Sequence, residues 1–134
     1  MRSPVYPDKT ADRGEHSFTY AIYPHSKKPM ESELVKIGYE LNNPLRIYKG
    51  SMDIKPIFNC DNSNIIIETV FVNDNGNLAF RMYETAGKET DTEISINTKY
   101  ESIRETDMLF ENPNDVDLEA MTFKPFEIKT LEVK

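Results

Sequence analysis

A single cysteine in 134 residues rules out an internal disulfide. Cys60 also stands among Asn59, Asp61 and Asn62, a polar setting that suits a reducing compartment. Long apolar runs are missing too: nowhere do the roughly eighteen consecutive apolar residues of a membrane-spanning helix occur. Pro4, Pro7 and Asp8 occupy the place where a signal peptide would carry its apolar core. A soluble, cytoplasmic chain is expected, without prejudice to any longer parent. Positive charge is scarce, with 16 basic residues against 23 acidic ones, and the net charge of −7 argues against phosphate backbones and anionic membranes. Glycine-rich phosphate loops, a Gly-x-Ser-x-Gly elbow, internal repeats and low-complexity tracts are absent, and Cys60 has no histidine near it in sequence. These gaps exclude nucleotide cradles, the common serine and cysteine nucleophiles and nucleic-acid partners.

What is present reads as one domain, or one domain with part of a neighbour. A compact chain of this length buries roughly two-thirds of its unfolded surface, enough for a core without metal or disulfide. The composition, 38% hydrophobic and 29% charged, is that of a globular protein. At the start, Pro4 and Pro7 hold Ser3 and Tyr6 extended. A charged loop follows around Gly14, carrying Asp8, Lys9, Asp12, Arg13, Glu15 and His16. From Ser17 to Tyr23 the chain alternates, with Phe18, Tyr20 and Ile22 on one side, and Pro24 ends the run, so a strand is expected.

After a linker over His25 to Met30, Leu34, Ile37 and Leu41 fall at helical spacing, which predicts one short helix over Glu31 to Leu41 before Pro44. Everything beyond reads as β. Short strands are expected at Leu45 to Tyr48 and Pro56 to Cys60. The strongest unit is Ile65 to Val72, an Asn73 to Asn77 turn built on Asn-Gly, and Leu78 to Glu84. Ile65, Ile67 and Phe71 are expected on one face of its first strand and Ile66, Val70 and Val72 on the other, which would make that strand central. Arg81 and Glu84, within RMYE, read as a cross-strand charge pair on the sandwich surface. A turn at Thr85 to Lys88, strands at Thr92 to Asn97, within Tyr100 to Leu109 and over Thr122 to Val133, and an apolar face of Phe126, Ile128 and Thr130 complete a meander. Strands at this spacing indicate an all-β, antiparallel β-sandwich with one short helix.

The run from Arg2 to His25, RSPVYPDKTADRGEHSFTYAIYPH, resembles a stretch in the C-terminal region of the α-mannosidases of glycoside hydrolase family 38. The likeness continues at YELNNPL (39–45), LAFRMYETAG (78–87) and PFEIKTL (125–131), over nearly the whole chain. It implies that residues 1–44 close a large supersandwich-like domain and that residues 45–134 form a small C-terminal β-sandwich. The strand at Ser17 to Tyr23 would then be part of an incomplete sheet, open to pairing with another chain. The family's zinc ligands and nucleophilic aspartate belong to an N-terminal catalytic domain with no counterpart in this sequence. No catalytic residue is therefore assigned here, no cofactor is expected in this chain, and zinc is expected in the parent enzyme.

His16 and His25, with Asp8, Asp12 and Glu15, contain zinc-ligand types, but their spacing fits no compact metal motif and none is assigned. Asp12, Arg13, Glu15 and His16 are the candidate substrate-contacting residues, since a guanidinium fork and carboxylate acceptors recognise sugar hydroxyls. Bracing against an adjoining domain is the competing role for that loop. Phe18, Tyr20 and Tyr23 are of the type that stacks on sugars, although aromatic stripes on strands more often form core. Cys60 reads as a half-buried strand residue. The expected function is a non-catalytic scaffold within an α-mannosidase, with the loop at the rim of the active site. The alternative is a stand-alone carbohydrate-binding or interaction module. The partners expected are the N-terminal catalytic portion, a carbohydrate, or a second copy of the chain.

Overall fold

A computed structural model describes residues 6–11, 13–31, 33–51 and 55–134. The first five residues, including the proline-held start of the arm, lie outside it, as does Asp12. Among the described residues, nine strands follow one short helix. In chain order they are α1 (Leu34–Asn42), β1 (Phe58–Cys60), β2 (Ile65–Val72), β3 (Leu78–Glu84), β4 (Thr90–Thr92), β5 (Ile94–Ile96), β6 (Ile103–Thr106), β7 (Asn114–Asp115), β8 (Met121–Phe123) and β9 (Ile128–Val133). All their pairings are antiparallel. One sheet has the order β2-β3-β9-β6-β7, and the pairs β1-β5 and β4-β8 form two short ladders.

The core explains why these ladders face one another. Phe80 and Met82 of β3 and Leu131 of β9 are fully buried, and Val133 nearly so; with Ile65 they meet Ile94 of β5 and Met121 and Phe123 of β8 in one cluster. The Phe58 ring of β1 lies 3.9 Å from that of Phe80, centre to centre. Each strand contributes alternate side chains, so burying one face of the large sheet against the two short ladders yields the expected sandwich.

The Asn73–Asn77 turn forms as expected. The Gly76 N–H donates to the Asn73 carbonyl at 2.9 Å, and Gly76 alone, at φ +79°, takes up the left-handed conformation. A bulge between Ile67 and Thr69 then overturns the simple alternation along β2. The extra residue places Ile65, Ile67, Val70 and Val72 opposite Glu84, Met82, Phe80 and Leu78, and sets Phe71 opposite Ala79 on the other face. Strand β2 is also not central. It is an outer strand of its sheet, and Val70 and Val72 are exposed. The order is no meander either, because β3 takes β9 as its second neighbour.

Other expectations shift in similar ways. The helix begins at Leu34, after a single 3-10 turn at Pro29–Glu31, so Glu31 and Glu33 precede it. It stops where Asn43, through both its backbone N–H and its Nδ2, donates to the Tyr39 carbonyl ahead of Pro44. Leu45 to Tyr48 forms no strand, and Leu45, Ile47 and Tyr48 are exposed. Ser17 to Tyr23 forms no strand and joins no ladder among the described residues, and Phe18, Tyr20 and Ile22 are exposed. Phe126 and Ile128 are likewise exposed, whereas Thr130 through Val133 are buried because β9 is flanked by β3 and β6. Among the described residues, no helix is long and apolar enough to cross a membrane.

Candidate functional site

The loop that sequence reasoning singled out is built on Asp8. Its Oδ1 accepts both the N–H and the hydroxyl of Thr10 at 2.8 Å, and these two bonds, the backbone one foremost, hold its carboxyl below the usual range. The Arg13 N–H donates to the Thr10 carbonyl at 3.1 Å, and Gly14 follows at φ +138°. Arg13, Glu15 and His16 emerge from this turn into solvent, and Arg13 and Glu15 form no ion pair among the described residues. Asp12 lies outside the described residues. The arm continues with Phe18 and Tyr20 on one side, rings 6.4 Å apart, and ends where Tyr23 stacks on His25, whose Nδ1 bonds the Lys27 carbonyl at 2.7 Å. No three His, Cys, Asp or Glu side chains converge among the described residues, so these residues offer no zinc cradle.

Several carboxylates of the sandwich brace its own turns and strands. Glu84, 1% exposed, accepts the N–H groups of Ala86 at 2.7 Å, Gly87 at 2.8 Å and Phe126 at 3.0 Å. Burial alone would raise its pKa, but those donors together hold it below the ordinary glutamate value. It ties the turn after β3 to the turn before β9 and makes no pair with Arg81. The Arg81 guanidinium instead donates to the Met108 carbonyl at 2.8 Å and lies 5.3 Å from the centre of the Phe71 ring. Positions 81 and 84 fall on opposite faces of one strand, which forbids the surface pair read from the sequence. Asp61, Asp107 and Glu132 are held below their usual ranges as well, first by the Thr92 hydroxyl, by the Glu111 N–H and by the Asn77 side chain respectively. Glycosidic cleavage needs one carboxyl with a raised pKa to act as acid. Asp8, Asp61, Glu84, Asp107 and Glu132 are all shifted the other way. Cys60 is half-buried in β1, its sulfur 3.0 Å from the Thr92 hydroxyl.

One feature escaped sequence reading. The Tyr39 hydroxyl donates to the Glu68 carbonyl at 2.9 Å, fastening α1 to β2 at the bulge. Between the start of α1 and the ends of the β2–β3 hairpin lies a cleft of about 950 Å³, lined by Lys27, Lys28, Lys36 and Lys88 and by Ser63 and Asn64. The lysines come from three separate segments, so no local motif announces them.

The fold thus defines an antiparallel β-sandwich domain in which Glu84 and Glu132 act as structural acceptors. Residues 64–131 match the family described as glycosyl hydrolases family 38 C-terminal beta sandwich domain, and the chain belongs to that family. It is 32% identical to alpha-mannosidase G of Dictyostelium discoideum over 97% of its own length and 13% of that protein's. To alpha-mannosidase 2C1 it is 27% identical in Homo sapiens and 26% in Mus musculus, over 98% of this chain and 14% of each relative. The chain therefore spans about a seventh of the length of these curated relatives.

Proposed function

We propose that this chain is the non-catalytic C-terminal β portion of an α-mannosidase. Residues 1–44 close a larger sandwich, residues 45–134 form the terminal domain, and the bond-breaking residues and zinc reside in the N-terminal catalytic portion. One observation carries the reading. The sandwich, matched to the family over residues 64–131, has its own core, while the arm before it leaves Phe18, Tyr20 and Ile22 at least 74% exposed, as a strand awaiting sheet neighbours would be. The Asp12–His16 loop, at the root of that arm, is placed at the rim of the joint active site, with Arg13, Glu15 and His16 as its donors and acceptors. A cytoplasmic setting suits the lone thiol of Cys60.

The test is complementation. The purified chain should leave an aryl α-mannoside intact, and co-expression with the N-terminal portion of its parent should yield a complex that hydrolyses it. Hydrolysis by the chain alone would overturn the proposal, as would full activity of the N-terminal portion without it. Neutral mannosides should give no saturable calorimetric signal with the chain; a saturable one would favour an independent sugar-binding module.

A further inference from the structure

We infer that Asn75 is a site of spontaneous covalent change, deamidation through the backbone nitrogen of Gly76, and that Glu132 is the latch restraining it. The inference stands apart from the scaffold role, and its failure would leave that role untouched. Asn75 and Gly76 form the one Asn-Gly pair in the sequence and sit in the turn between β2 and β3. Both are exposed, so water reaches them. The space around Gly76 is open as well, since a Cβ built there would meet no atom within 4 Å. A glycine after asparagine brings its amide nitrogen to the asparagine side chain without the hindrance of a Cβ.

The chemistry needs only water. The Gly76 nitrogen attacks Cγ of Asn75 and forms a new N–C bond; the bond from Cγ to Nδ2 breaks, and the Gly76 amide proton passes through solvent to the leaving group, which departs as ammonia. Water then opens the cyclic succinimide at one of its two carbonyls, leaving aspartate or isoaspartate at position 75. Either product adds a negative charge next to Asp74. Isoaspartate also adds a methylene to the backbone of the turn.

The turn withholds the nucleophile. The Gly76 N–H is committed to the Asn73 carbonyl at 2.9 Å, and the N–H groups of Asn75 and Asn77 donate to Oδ1 of Asn73 at 3.1 and 3.0 Å. Attack requires the peptide between Asn75 and Gly76 to rotate and its nitrogen to lose that proton, and these bonds oppose both. Asn73 is itself fixed by Glu132, whose Oε1 accepts its Nδ2 at 2.6 Å and that of Asn77 at 3.0 Å. Asn73 and Glu132 are buried, whereas the bond they guard is not. The latch thus lies on β9, far along the chain from the site.

The full 134-residue chain would be incubated at mildly alkaline pH, with conversion at position 75 followed by mass spectrometry and isoaspartate by enzymatic methylation. Folded wild type should convert slowly, and the urea-unfolded chain much faster. Glu132→Ala should convert about tenfold faster than wild type, because loss of the buried acceptor lets the tip open locally. Glu132→Gln, which keeps an acceptor oxygen, should fall between, and it carries the test if Glu132→Ala does not fold. Glu84→Gln is the control: it weakens the body away from this turn, so its rate should match wild type. The inference is overturned if neither Glu132 variant converts faster than wild type, if folded wild type converts as fast as the unfolded chain, or if Glu84→Gln speeds conversion as much as Glu132→Ala.

Discussion

Glu84 shows how far a residue's role can sit from its sequence context. Beside Arg81 in RMYE it looks like half of a surface pair; in the fold it is the acceptor that joins two turns. Replacing it with Gln puts an NH2 group where backbone N–H groups point, and a loss of about 2–3 kcal/mol is expected by urea unfolding. The carboxyl is harder to protonate folded than unfolded, so its contribution is present in full above about pH 4.5, the ordinary glutamate value. As pH falls below that and through the lower folded value, the unfolded state gains protons first and the contribution is lost. The stability gap between wild type and Glu84→Gln should therefore be constant near neutrality and close in acid. Gly87, at φ +67°, is the neighbouring constraint, because a Cβ there would stand 2.6 Å from Cζ of Phe126. Gly87→Ala should cost about 1–2 kcal/mol, mainly in backbone strain. Adding Phe126→Ala, which removes the exposed ring, should leave most of that cost in the measured melting temperature. Sequence alone hinted at this corner only through the Thr-Ala-Gly-Lys turn.

At the scale of elements, the β2–β3 hairpin is held at its tip by β9. Glu132 Oε1 accepts Nδ2 of Asn73 at 2.6 Å and of Asn77 at 3.0 Å, with Asn73 and Glu132 both buried. Glu132→Ala should cost about 2–3 kcal/mol in denaturant titrations and speed amide exchange at Gly76 and Asn77; Glu132→Gln, which keeps an acceptor oxygen, should cost less. This hairpin was legible from Asn-Gly between two apolar runs, and the Ile94/Ile96 alternation likewise marked β5. The errors have a common physical source. A bulge requires no special residue type, so the face swap after Ile67 leaves no mark on alternation. Whether a strand is central or outer depends on distant partners, and β3 finds its second neighbour near the C-terminus. Phe18, Tyr20 and Ile22 have strand periodicity without strand partners, since periodicity records which side is apolar and not what covers it. The cleft beside α1 was invisible for a related reason: its lining comes together only after folding.

At the scale of the molecule, the buried apolar residues among those described all lie between Ile65 and Val133, and the partly buried side chains packed on them begin at Phe58. The family match opens at residue 64, yet Phe58 packs against Phe80 and Asn97 donates to the Ile57 and Pro56 carbonyls, so β1 belongs to the same cooperative unit. What precedes Lys55 among the described residues is exposed or half-buried, and the Tyr39 hydroxyl ties it to the body by donating to the Glu68 carbonyl. A chain cut to residues 55–134 should therefore unfold in one cooperative transition, less stable than the full chain by no more than about 2 kcal/mol, the scale of one lost hydrogen bond and a half-buried helix face. Its denaturant slope should change little, because that slope follows the surface exposed on unfolding and the removed segment buries little. Loss of the transition would show that the arm and helix are part of the folding nucleus rather than an extension seeking a sheet elsewhere. Retention would leave the arm free to be assayed separately, by asking whether Tyr20→Asp abolishes association with the N-terminal portion while the body stays folded.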